Sequence, residues 1–180
     1  MQGEWVAQVL GYWFDELQPA AWFTKDERVD AAIRERFGAL HEQVARVGPE
    51  DLTTPLEHVA AVIALDQFPR NMFRGSPRAF ATDALALSIS EHAIAAGFDT
   101  QLTQRQRWFL YMPFQHSEDR AVQARSIELF TQLGDRENLG YAQRHKEIID
   151  RFGRFPHRNE VLGRESTAQE REFIATHRSF

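Results

Sequence analysis

Three stretches of the chain concentrate side chains that could hold an anion or move a proton. The first is Leu65-Asp-Gln-Phe-Pro-Arg-Asn-Met-Phe-Arg-Gly75, followed by Arg78 and Asp83. Asp66, Gln67, Arg70 and Asn71 stand where an apolar helix leaves the core, so they can line a cleft while Phe68 and Phe73 anchor the loop. A helix starting at Ser76-Pro77 would add an electropositive N-terminus beside Arg70, Arg74 and Arg78, which together would suit an anion. The competing reading is local: Asp66 pairs with Arg70, and Asn71 caps a turn.

The second stretch, Tyr111-Met-Pro-Phe-Gln-His-Ser-Glu-Asp119, sets Gln115, His116, Ser117, Glu118 and Asp119 beside a proline that should kink or end its helix. His116 could serve as general acid or base, oriented by Glu118 or Asp119. Alternatively, Ser117, Glu118 and Asp119 only open the next helix, where acids favour the dipole. Ser117 next to His116 does not make a nucleophilic pair, because a triad is defined by spatial roles. The third stretch runs from His145 through Arg151-Phe-Gly-Arg-Phe-Pro-His-Arg-Asn159 to Arg164. Arg154, His157, Arg158 and Asn159 alternate with Phe152 and Phe155, which either stack on a ligand ring or plug the core under a long loop. Four arginines between Arg151 and Arg164 have only Glu160 among them as an acid, so an external anion is expected to neutralise them.

The sharpest alternative is a metal held by His116, His145 and His157 with Asp66, Asp83 or Asp119. No His-x3-His pair puts two ligands on one helix face, and the chain has no Cys, so neither a metal nor another cofactor is expected. Cysteine absence also removes disulfides and thiol nucleophiles. The chain of 180 residues carries a formal net charge of -5, which argues against general duplex binding. Val59 to Leu65 is far short of the roughly 20 apolar residues that span a bilayer, and no signal-peptide pattern opens the sequence; a cytoplasmic address follows, with no membrane partner.

The elements that must position these groups read as helices throughout. Glu4 to Leu17 is the first, ended by Pro19. Thr24-x-x-Glu27 has the form of a capping box opening a helix to about Val47, and Thr54-Pro55-x-Glu57 opens a third. After a loop at 69 to 75, Ser76-Pro77 starts a fourth, which Gly97 stops. Thr103 caps a fifth through Trp108 and Tyr111. A sixth spans Glu118 to Leu133, a seventh Asn138 to Phe152, and Thr167-x-x-Glu170 opens a short last one beyond an irregular stretch at 153 to 166. Short connections imply antiparallel neighbours, giving an all-α fold of seven to eight helices stacked as hairpins in one domain over 1 to 180. No exact 34-residue repeat is present.

The three blocks resemble a family of mostly bacterial proteins catalogued as domain of unknown function 924. The likeness is carried by Leu65 through Asp83, by Tyr111-Met-Pro-Phe-Gln-His-Ser-Glu118, and by His145 through Phe-Gly-Arg-Phe-Pro-His-Arg-Asn159 to Gly163-Arg164, with Trp22-Phe23 near the start. Gln115 stands where the resemblance leads one to expect Glu. The resemblance implies a tetratricopeptide-like helical fold and transfers no activity. The residues lead to one pocket for a small phosphorylated or carboxylated ligand, with Arg70, Arg154 and Arg158 on the anion and Asp66 or His116 as acid or base. A concave helical face receiving a peptide or partner helix is the competing expectation.

Overall fold

The longest uncharged apolar stretch, Val59 to Leu65, is fully buried at the centre of the molecule. The computed structural model describes residues 3–177, and among them all regular structure is helical. Helix α1 (Glu4–Gly11) runs on through a π turn (Tyr12–Glu16) and packs on α3 (Pro55–Val62), while α2 (Glu27–Val44) packs on the short α4 (Phe68–Met72). Helices α5 (Asp83–Ala95) and α6 (Gln104–His116) flank α3 and touch each other. Helix α7 (Arg120–Leu133) packs on α6 and on α8 (Arg136–Phe152), and α9 (Ala168–Thr176) leans on a 3-10 turn at Pro156–Arg158. None of these helices is long and apolar enough to cross a membrane.

The capping boxes at Thr54, Thr103 and Thr167 form as their sequences require, each pairing with the side chain at N3. The one at Thr24 does not. Asp26 caps α2 instead, accepting from the backbone N–H of Arg28 at 2.8 Å, while the Thr24 hydroxyl donates back to the Ala20 carbonyl at 2.6 Å. A carboxylate beside the positive helix end outcompetes a hydroxyl there. The expected loop at 69 to 75 is helical as far as Met72, because Pro69 falls in the first turn of α4, where a missing N–H costs little. Ser76 does cap, but only a 3-10 turn (Pro77–Phe80), and the helix proper begins at Asp83, whose carboxylate in that first turn is taken by Arg70.

Pro113 does not end α6, which continues to His116. The turn beyond the proline is held by Gln123 of α7, whose side-chain amide donates to the carbonyls of Gln115 and Ser117 at 2.7 Å each. The core has two parts. The larger contains Trp13, Phe37, Phe68 and Phe109 around α3; the smaller, of Ile148, Ile149 and Phe155, lies under the segment after α8, with Phe152 and Phe173 against it.

Candidate functional site

The site begins with a π turn. Between α3 and α4, residues Ile63–Gln67 wind one turn too wide, which leaves carbonyls in need of partners. Side chains supply them. His41 Nδ1–H donates to the Ala64 carbonyl at 2.9 Å and Arg70 to that of Asp66. The Thr82 hydroxyl donates to the Leu65 carbonyl at 2.5 Å, taking the place of the N–H that Pro69 lacks. The wide turn holds Asp66, Gln67, Arg70 and Asn71 together at the junction with α4.

Asp66 is fully buried and accepts from His116 Nδ1 at 2.7 Å and from Gln67 Nε2 at 2.5 Å, with Arg70 Nη1 3.2 Å away. Burial alone would raise its pKa. The charges of Arg70 and His116, with the bonds from His116 and Gln67, instead hold the carboxyl well below its ordinary range, so it is ionised. His116 is lowered, by burial first and by Arg70 next, against the opposing pull of Asp66. A carboxylate only accepts, so this partner assigns the ring hydrogen to Nδ1 and leaves the lone pair on Nε2. Asp66, not Glu118 or Asp119, therefore orients His116. Asp119 caps α7 through the N–H groups of Ala121 and Val122 at 2.7 and 3.0 Å. The Ser117 hydroxyl accepts from the Asp119 N–H at 3.1 Å.

Arg70 also makes a two-pronged pair with Asp83 at 2.8 and 2.9 Å. Arg158 reaches the same carboxylate less well, at 3.4 Å, and donates to the His116 carbonyl at 3.0 Å. Its guanidinium lies between the rings of Phe80 and Phe155, 4.6 Å from each centroid. Only 7% exposed, with its Nε unpartnered among the described residues, it is pushed down to about 10, by burial first and by Arg70 next. Behind the neighbouring wall, Arg74 pairs with Asp30 at 2.5 and 2.9 Å, and Asn71 donates to the same carboxylate at 2.8 Å.

These groups surround a cleft of about 840 Å³. One wall is a single face of α6, where Trp108, Met112, Gln115 and His116 follow helical spacing. Gln67, Arg70, Asn71 and Arg74 form a second wall, α8 contributes Asn138, Tyr141, Arg144 and His145, and His157 and Arg158 enter from the segment after α8. Among the described residues, the fully charged side chains at this lining are Arg70, Arg74, Arg144 and Arg158; Asp30, Asp66 and Asp83, which pair with three of them, do not line it. His145 and His157 are both lowered to about 4, by burial first, with the Arg158 charge contributing to each.

Two of the residues expected at the ligand lie elsewhere. Arg154 pairs with Glu170 at 2.7 and 2.9 Å and donates to the Glu165 carbonyl at 2.7 Å, away from the cleft. Asn159 is fully buried, donating to Ser166 at 3.1 Å and accepting from Arg164 at 2.9 Å. Arg164 in turn grips Glu118 at 2.7 and 3.0 Å, and Glu118 accepts the Phe155 N–H at 2.8 Å. The arginines of the third block are thus neutralised largely from within, by Glu170, Glu118 and Asp83. Sequence reasoning passed over Arg144 and Tyr141, whose helical spacing with His145 was the available signal, and Gln123, for which no local signal existed. No group of three His, Asp or Glu side chains placed to hold a metal occurs among the described residues.

The chain belongs to the family described as bacterial proteins of unknown function (DUF924), whose model matches residues 9–177. Among solved structures it is similar to a protein of unknown function, ATU0120, from Agrobacterium tumefaciens, with 37% identity, a TM-score of 0.86, and coverage of 95% of this chain and 97% of that one. No curated protein matches.

Proposed function

We propose that the cleft binds a small anionic ligand, phosphorylated or carboxylated, through Arg70 and Arg158, with Arg74 and Arg144 adding to the positive field and Gln67 and His157 at its edge. The observation that carries this reading is the charge of the lining: four arginines and, among the described residues, no carboxylate, since Asp30, Asp66 and Asp83, the partners of Arg74, Arg70 and Arg158, are not part of it. An entering oxyanion meets guanidinium donors fixed by Asp83 and by the His116 carbonyl, so little side-chain ordering is left to oppose binding. Beside that anion, the Asp66–His116 pair is arranged to take a proton at Nε2, with the resulting imidazolium stabilised by Asp66. The protein is read as cytoplasmic.

A peptide groove fits less well, because the charged groups of this lining are all arginines, which suit an anion, while a peptide site spreads backbone donors and acceptors along a face. The test is thermal unfolding across a phosphate titration at constant ionic strength, for wild type and Arg158→Met. Wild type should gain a saturable rise in melting temperature that the variant loses. Equal rises in both proteins would contradict the proposal.

A further inference from the structure

Phe23 is the most exposed large apolar side chain among the described residues, at 59%, and it lines the cleft with Trp22 and Trp108. Its mount is rigid. Trp22 beside it is buried and donates its indole N–H to the Trp13 carbonyl at 2.9 Å, and Asp26 three residues on is fixed as the α2 cap. The Phe23 ring leans on Trp108 at 5.7 Å and 48° and lies nearly parallel to Phe109 at 6.4 Å and 13°. An aromatic held this way keeps a face for a planar partner without losing rotamer freedom on binding.

Trp108 and His116 lie on the same face of α6 eight residues apart, which places the aromatic end about 12 Å from the Asp66–His116 end along the helix axis. Met112 sits between them on that face, and the carboxamides of Gln115 and Asn138 also reach the lining. A cleft with an aromatic platform at one end, arginines at the other and polar amides in its walls differs from an acyl tunnel, which would be apolar along its length.

We infer that the ligand is an elongated anion carrying a planar ring, with the ring on Phe23 and Trp108 and the anionic group at Arg70 and Arg158; this rests on the anion-binding reading above. A nucleoside polyphosphate has this build. Its ring and terminal phosphate are separated by a hydroxylated sugar and further phosphates, whereas a nucleoside monophosphate holds its single phosphate closer to the ring.

The experiment compares ATP, AMP and tripolyphosphate by calorimetry, without added metal, on wild type and Phe23→Ala, with tryptophan emission as a second readout. ATP should bind about tenfold or more tightly than tripolyphosphate or AMP and quench the emission. Phe23→Ala should remove the advantage over tripolyphosphate and leave tripolyphosphate affinity unchanged. If tripolyphosphate binds and ATP is no tighter, or if Phe23→Ala leaves the ATP advantage intact, the ring inference fails and the anion reading stands. If none of the probes binds and phosphate fails to stabilise the protein, the anion reading fails and the ring inference with it.

Discussion

Arg154 and Arg158 stand four residues apart in one basic segment and serve opposite ends of it. Arg154 belongs to a brace: with Glu170, and alongside Arg164 on Glu118, it ties the segment after α8 to α9 and to the start of α7. Arg158 belongs to the cleft, where it shares Asp83 with Arg70 and keeps a buried Nε unpartnered among the described residues. In the brace each guanidinium has a carboxylate of its own, whereas in the cleft Arg70 holds both Asp66 and Asp83 and Arg158 has only the longer contact to Asp83. A basic run in sequence thus divides into struts and a site, and only the partners tell which is which.

That contrast can be broken by substitution. The largest effect is expected for Asp66→Asn, which strips a fully buried carboxylate from Arg70 and His116; by the cost of stranding a buried charge, urea unfolding should show a loss of about 3–5 kcal/mol. In the brace, Arg164→Gln breaks a half-buried pair and should cost about 1–3 kcal/mol, between the buried and exposed limits, with the phosphate response unchanged. Loss of that response in Arg164→Gln would erase the distinction between the two regions.

Acid should act in two stages, on the cleft histidines first and on the paired carboxylates later. His116, His145 and His157 all have folded-state pKa values below the unfolded value near 6.5, so the folded state binds fewer protons and their contribution is complete above about 6.5. It falls as pH drops from there toward about 4, the value held by His145 and His157. Glu170 is lowered to about 2, first by its bond from Arg154, and Asp66 is also held below its ordinary range, so the brace and the Asp66 cluster weaken together in a later window, from about 4.5 downward. Stability against pH should therefore decline in two stages, with His145→Gln flattening the first and Glu170→Gln the second. A single decline unaffected by His145→Gln would oppose this. Smaller still, Arg158→Met keeps bulk between Phe80 and Phe155 and leaves Asp83 to Arg70, so it should change stability by at most about 1 kcal/mol in either direction. Arg144→Gln, on the exposed rim, should stay within about 0.5 kcal/mol while weakening phosphate binding.

The helical class was legible because caps and stops are local: Thr54, Thr103 and Gly97 signal within a turn of themselves. Where competition was settled by neighbours, the reading went astray. Thr24 lost its cap to Asp26, two residues away, and α6 runs three residues past Pro113, its end held by Gln123 of the next helix through the carbonyls of Gln115 and Ser117. The site was visible as residue types, with Asp66, Arg70, His116 and Arg158 all singled out, yet their roles depended on partners at long range. Arg158 meets Asp83 across 75 residues, and His116 meets Asp66 across 50. Arg154 looked unpaired because Glu170, 16 residues on, lies outside the window in which local charge was weighed. Neutrality is a property of contacts, and a sequence window sees only neighbours along the chain.

The central claim is that the guanidinium groups and His116 form one anion site. Nitrogen-detected NMR of the histidine rings during a phosphate titration addresses it directly. His116 should appear as the Nδ1–H tautomer in the free protein, and its Nε2 resonance should move with saturation in wild type but not in Arg158→Met. A His116 signal that phosphate leaves unmoved in wild type, or that moves equally in the variant, would contradict the account.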